Sequence, residues 1–280
     1  EVNFLPYNLS NFRLSSELFL HKTNPKVENY NFDFAINHLK RISKLAKYYG
    51  HRLTFHPGQF NNLGTPHMNT FKMTLADLDY HASVLDIMEM DQNSVMVIHG
   101  GGVYGNKEET INRWVHNYIN LPLKIKKRLV LENCEKSYSI EDCLKIHDMT
   151  GIPIVFDYFH HKFCTGDMTE EEALKLAAST WGDVKPCTHY SESRRDEQKL
   201  IIEGICKNNN ITIEQMQDWP TLAGMYKEFS KIKVQAHSDY IKDEIKDYGL
   251  DIDVVVEAKA KELAFMNEKY KKVLTEVLPC

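Results

Sequence analysis

Eight residues of metal-ligating type recur at one kind of place in the chain. His56, His99, Glu132, Asp157, His189 and Glu257 each close a short β-rich run, and His160 and His237 follow just beyond such runs. A single histidine or carboxylate at a strand end is ordinary and usually structural or solvated. Eight at corresponding positions are not, because an unpaired buried charge costs several kcal/mol. Mixed imidazole and carboxylate donors suit zinc, manganese or iron, and argue against calcium or a structural cysteine-based zinc site. A carboxylate can also bridge two ions, and multi-ion sites of this kind clamp the attacking and leaving oxygens of phosphoryl transfer. The expected chemistry is metal-dependent hydrolysis of a phosphodiester.

These residues can meet only if the scaffold gathers distant strand ends. The β-rich runs are Phe12–Ser16, Arg52–His56, Val95–His99, Arg128–Glu132, Pro153–Asp157, Val184–His189 and Asp253–Glu257. Helical patterns over Phe34–Tyr49, Thr70–Met90, Lys107–Leu121, Ile140–Met149 and Thr169–Thr180 lie between them. Gly50 and Gly151 stand where helix passes to strand, as a helix C-cap requires. Strand alternating with helix predicts a parallel sheet with right-handed crossovers. Seven such units approach the eight of a (β/α)8 TIM barrel, an α/β fold whose active site lies at the C-terminal ends of its strands. Lys231–Gln235 is a candidate eighth strand; the alternative is a strand in a segment before Glu1. The expected organisation is a single domain over 1–280 with a helical insertion at about 194–230.

The 280 residues include 34 Lys and Arg against 39 Asp and Glu, a net charge of −5. Phosphate neutralisation dominates simple nucleic-acid binding, so this balance disfavours a pure DNA-coating module. It leaves room for a DNA enzyme whose acidic residues hold cations, since those ions supply the local positive charge. No run approaches the roughly 20 apolar residues that span a membrane, and nothing resembles a signal peptide. Six cysteines without CxxC spacing read as reduced thiols. A soluble, intracellular monomer is expected, in cytoplasm or nucleus according to its host.

The motifs in order resemble those of the UV damage endonucleases: Phe12-Arg13-Leu14-Ser15-Ser16, His56-Pro57-Gly58-Gln59-Phe60, His99-Gly100-Gly101, Leu131-Glu132-Asn133, Phe156-Asp157-Tyr158-Phe159-His160-His161, His189-Tyr190-Ser191, His237-Ser238-Asp239-Tyr240 and Glu257-Ala258-Lys259. Each is weak alone; the ordered set is specific. The resemblance implies a TIM-barrel DNA repair enzyme related in fold and metal cluster to endonuclease IV. Such an enzyme nicks double-stranded DNA 5′ of a UV photoproduct, leaving 3′-hydroxyl and 5′-phosphate ends. It would hold two or three divalent ions, manganese by preference, with zinc or magnesium as alternatives. Carried over, His56, His99 and Glu132 would hold one ion. Glu132, Asp157, His189 and Glu257 would hold a second, with Glu132 bridging, and His160 and His237 would serve a third, with Asp239 as a further candidate. Glu132 and Glu257 would be catalytic through these ions, and Lys259 through contact with phosphate. Gln59 and Phe60 match residues wedged into the duplex where damaged bases leave the stack, and Arg194 and Arg195 stand where they could touch the DNA backbone.

Other expectations are structural. His81 sits in a helical stretch, and His161 points away from its neighbour His160. The run Lys124, Lys126, Lys127 and Arg128 precedes a strand, on the face opposite catalysis, and reads as solvated. Cys187 occupies a position where many members of the family carry a lysine, and reads as a small buried residue, with a thiolate near metal as the alternative. The family's first strand has no counterpart before Phe12. Competing functions are an endonuclease IV-like abasic-site nuclease, a sugar isomerase on the same barrel, and a damage-binding homologue with impaired catalysis.

Overall fold

A computed structural model of the chain describes residues 10–28 and 30–266. Among these residues seven short strands follow the expected order: β1 (Asn11–Leu14), β2 (Arg52–Phe55), β3 (Met96–His99), β4 (Leu129–Glu132), β5 (Ile154–Asp157), β6 (Cys187–Tyr190) and β7 (Asp253–Val256). They form one sheet in sequence order, β1 through β7, with parallel pairing. The intervening helices are α1 (Ile36–Tyr48), α2 (Met68–Ile87), α3 (Lys107–Ile119), the single turn α4 (Leu123–Lys126), α5 (Ile140–Thr150), the single turn α6 (Tyr158–His161) and α7 (Glu170–Ser179). This is the strand and helix alternation of a TIM barrel. Residues Leu129–Glu132 and Ile154–Asp157 are buried throughout, as strands of a parallel sheet covered on both faces must be.

Local chemistry sets the helix ends. Ser139 and Asp142 form a reciprocal capping box at the start of α5, and Thr169 and Glu172 do the same for α7. Gly151 closes α5 at φ +72, a left-handed cap that glycine adopts without strain. The chain then enters β5 three residues later, so the cap fixes where that strand begins.

Two arginines hold the N-terminal ends of the strands. Arg52 opens β2 and is buried. It donates to the Asn93 and Lys185 carbonyls and to Asp253 Oδ2 at 3.0 Å. Its guanidinium also lies over the Trp181 ring. Arg128 departs from the solvated role expected of its basic run. It is buried, donates to Asp86 Oδ1 through Nε and Nη2, and caps the carbonyls of Met90, Asp91 and Ser94. The segment entering β3 turns its carbonyls inward there, and only a long multidentate donor satisfies them.

The chain divides into two compact units. One runs to His189 and regains Asp247–Val255; the other comprises Tyr190–Lys246 and the residues from Val256 onward. The second unit holds α8 (Arg194–Asn209), a 3-10 turn at Glu214–Asp218 and α9 (Ala223–Ser230). Ile202, Cys206 and Met216 form its core, packed by Leu222, Tyr226 and Phe229. The candidate strand Lys231–Gln235 is not one. Lys231 caps α9, and a turn closes between Ala236 N and the Lys233 carbonyl. Among the described residues, the extended pairing nearby is an isolated antiparallel bridge between Ser193 and His237. Among the described residues, no helix is long and apolar enough to cross a membrane.

Candidate metal centre

Strand register assembles the site in the first unit. His99 is aligned with Glu132 across β3 and β4, and Asp157 with His189 across β5 and β6. Each alignment puts two donor side chains side by side at one end of the sheet. His56 follows the last residue of β2, and His160 reaches the same end from α6.

Glu132 lies at the centre and is fully buried. Its Oε2 is 2.9 Å from His56 Nε2 and 3.4 Å from His99 Nε2. Its Oε1 is 2.8 Å from His189 Nδ1 and 3.7 Å from His160 Nδ1. Each carboxylate oxygen therefore faces two imidazoles. The rings pack as a cluster, with His56 5.1 Å from His99, 5.5 Å from His189, and His99 5.3 Å from His160 by their centroids. Burial pushes the Glu132 carboxyl upward in pKa. The charges of His189, His99 and His56 reverse that and hold it well below the ordinary carboxylate range. His160 is shifted upward: burial opposes its charge, but Asp157, Glu132 and Glu135 outweigh it.

Among the described residues of the first unit, two sets of donors each have their ligand atoms within 4.8 Å of one another: His56, His99 and Glu132, and Glu132, Asp157 and His160. Glu132 belongs to both. A buried carboxylate ringed by imidazoles, with one oxygen toward each group, fits a bridging ligand between two divalent ions.

Asn133, the last residue of the Leu-Glu-Asn motif, is a positioning residue. It is fully buried. Its Oδ1 accepts from the Asp157 main-chain N at 2.8 Å, and its Nδ2 donates to the Asp157 carbonyl at 3.1 Å. The Asn133 carbonyl lies 3.0 Å from His160 Nδ1. One residue thus fixes both ends of the Asp157–His160 turn, whose first residue also caps α6 by accepting from His160 N.

The loop after His56 leaves Gln59 and Phe60 exposed at a tight turn. Its base is held rigidly. Asn61 is buried, donates to the Gly58 carbonyl at 2.9 Å and to Asp77 Oδ2 at 2.8 Å. Asn62 accepts from Gly64 N and donates to Tyr104 Oη at 2.9 Å. No sequence pattern separates these two asparagines from ordinary turn residues.

The remaining residues divide as follows. Cys187 is fully buried in an apolar cluster with Val95, Val97, Val130, Val155 and Trp181, and burial pushes its thiol up to about 11. A thiol so raised is protonated at neutral pH. His81 is buried in α2 with Nδ1 2.7 Å from the Asp77 carbonyl. His161 packs against Phe156. In the second unit, His237 Nδ1 lies 3.1 Å from the Glu257 carbonyl and 3.7 Å from its Oε2, and Lys259 is exposed. Arg195 donates to the Ile232 carbonyl and covers the Phe229 ring. Arg194 is half-buried, and its main-chain N donates to the Ala236 carbonyl.

The sequence model of the UV-endonuclease UvdE family matches residues 3–276. The chain is 31% identical over 282 residues to the UV DNA damage endonuclease of Bacillus cereus (strain B4264), covering 95% of this chain and 77% of that protein. It is 32% identical over 263 residues to the UV-damage endonuclease of Schizosaccharomyces pombe, covering 90% of this chain and 39% of that one. Across the mimiviral and fungal relatives it spans between 31% and 57% of their length. Its structure is similar to the crystal structure of SacUVDE, with a TM-score of 0.75 and 29% identity over 98% of this chain and 82% of that one.

Proposed function

The chain belongs to the UV-endonuclease UvdE family, and from that premise we infer that it is a metal-dependent DNA repair endonuclease. In this reading it nicks double-stranded DNA 5′ of a UV photoproduct and leaves 3′-hydroxyl and 5′-phosphate ends. The observation that carries the reading is Glu132. A fully buried carboxylate that presents each oxygen to two histidines has no structural task that a hydrophobic residue would not perform at lower cost. Two or three divalent ions are expected, manganese first, with zinc or magnesium as alternatives.

His56 and His99 would hold one ion with Glu132, and Asp157 and His189 another on its second oxygen. His237 and Glu257 are proposed as further ligands on the strength of their motifs and of their contact with each other. Bound divalent ions supply Lewis-acid polarisation of the phosphoryl oxygen and activation of water. The protein holds the donors fixed by strand register, so little reorganisation is needed as charge develops on phosphorus. Lys259 offers a cation to the phosphate. Phe60 and Gln59 enter the duplex at the lesion: the ring stacks where a damaged base leaves, and the amide hydrogen-bonds the base left without a partner. Damaged dinucleotides stack poorly, so extrusion costs less there, which favours the lesion over intact DNA. The anchored base of the loop, through Asn61 and Asn62, keeps the wedge from folding back on binding. The protein is proposed to act inside the cell as a monomer, with damaged double-stranded DNA as its partner.

The test is incubation with Mn2+ and a duplex carrying one cyclobutane dimer, beside undamaged and abasic duplexes. Cleavage of the dimer duplex alone is the expected result. Cleavage confined to the abasic duplex would replace this function with that of an abasic-site nuclease, and damage-selective binding without cleavage would replace it with a binding role.

A further inference from the structure

His160 offers two ring nitrogens, and its surroundings distinguish them. Nδ1 lies 3.0 Å from the Asn133 carbonyl oxygen. A carbonyl only accepts, so Nδ1 carries a proton and donates it. An ion can then bind His160 only through Nε2, the usual arrangement in which the other ring N–H is given to a backbone carbonyl. The Asn133 carbonyl is not free to turn away, because the buried Asn133 amide exchanges two hydrogen bonds with the Asp157 main chain. The carboxylates of Glu132 and Asp157 stand on the Nδ1 side, at 3.7 and 3.6 Å. On the Nε2 side stands Glu135, whose Oε2 is 4.0 Å from that nitrogen.

We propose that Glu135 is a metal ligand, paired with His160 Nε2 around an ion other than the one at His56, His99 and Glu132. The inference rests on the metal reading above and extends its ligand set. Two donors that share an ion at about 2.1 Å stand roughly 3.4 Å apart in tetrahedral geometry, so the 4.0 Å between His160 Nε2 and Glu135 Oε2 closes with a small movement of the Glu135 side chain. The carboxylate is accessible, with its side chain 26% exposed, so an ion reaches it from solvent. Its other oxygen lies 3.8 Å from Lys136 Nζ, a long surface contact that does not tie the group down. Two protein donors leave most of the coordination sphere to water or to phosphate oxygens of the substrate, as suits an ion that works on the substrate.

The experiment compares wild type, Glu135→Gln and Glu135→Asp. Each is stripped with chelator and titrated with Mn2+ under electron paramagnetic resonance, with elemental analysis of the loaded protein and circular dichroism of the stripped one. Glu135→Gln should fold normally and lose one bound ion, or bind one ion at least about 10-fold more weakly, with the others unchanged. Glu135→Asp should recover part of that loss. Proton–nitrogen correlation spectra of the stripped, histidine-labelled protein at alkaline pH should show His160 protonated at Nδ1. Unchanged stoichiometry and affinity in Glu135→Gln, beside a wild type that binds metal, would overturn the Glu135 assignment alone, as would a His160 protonated only at Nε2. A wild type that binds no Mn2+ would overturn the metal reading and this ligand with it.

Discussion

Glu132 Oε1 lies 2.8 Å from His189 Nδ1, although 57 residues of chain separate them. The contact bridges β4 and β6 across the end of the sheet, and with His56 on the other oxygen it makes Glu132 the hub of the donor cluster. Glu132→Gln keeps the shape and removes the charge. Cleavage should fall to background, and Mn2+ affinity should drop by at least about 100-fold, read by metal content after desalting. A variant with wild-type metal content would refute the bridging role.

Phe60 and Gln59 are exposed on a loop whose base is pinned. Phe60→Ala should weaken binding to a dimer-containing duplex by about 10-fold, the effect of losing one base–aromatic stack. Binding to undamaged duplex and Mn2+ affinity should not move. Fluorescence anisotropy with paired duplexes measures the first two. Equal losses on both duplexes would show that Phe60 packs the loop rather than reads the lesion.

Arg128 satisfies three carbonyls and one carboxylate from a buried position. Arg128→Met removes the buried donor that the Met90 and Ser94 carbonyls share and weakens the pairing of Asp86 and of the Asp91 carbonyl, and should cost about 3 kcal/mol in chemical denaturation. Lys127→Met, whose exposed ammonium also meets Asp86, should cost less than about 1 kcal/mol. Similar values for the two would mean that Arg128 is solvated after all.

Cys187 gives a pH signature. Its thiol is raised by burial from the ordinary 9.0 to about 11. Above pH 9 the unfolded chain ionises there while the folded chain does not. The stability this thiol provides is complete below pH 9 and is lost as pH rises towards 11. Between those values wild type should lose up to roughly 3 kcal/mol relative to Cys187→Ala, measured by urea denaturation across the range. Parallel profiles would show that Cys187 is not held protonated by the core.

The strands and the imidazole and carboxylate side chains at their ends were legible because such residues are scarce at the ends of Val- and Leu-rich runs. The alignment of His99 with Glu132, and of Asp157 with His189, was not. It depends on how each crossover helix returns the chain, which no single run encodes. Arg128 was misread for a related reason: its partners are carbonyls of residues 90, 91 and 94, and backbone acceptors leave no trace in side-chain type. Lys231–Gln235 alternates apolar Ile232 and Val234 as a strand would, but the end of α9 and the following turn prevail. Asn133 was visible as a letter in a motif, while its role depends on a main-chain partner in the next strand.

The order of the candidate ligands along the chain has a consequence for synthesis. A growing polypeptide that has passed β4 already carries His56, His99 and Glu132, enough donors for a first ion. Asp157, His160 and His189 emerge only with β5 and β6. Because the strands are made in the order in which they stand in the sheet, capture of a first ion would stabilise a partly built sheet and template the docking of the strands that follow. A cofactor held by these residues would then serve the ribosome's product before it serves the substrate.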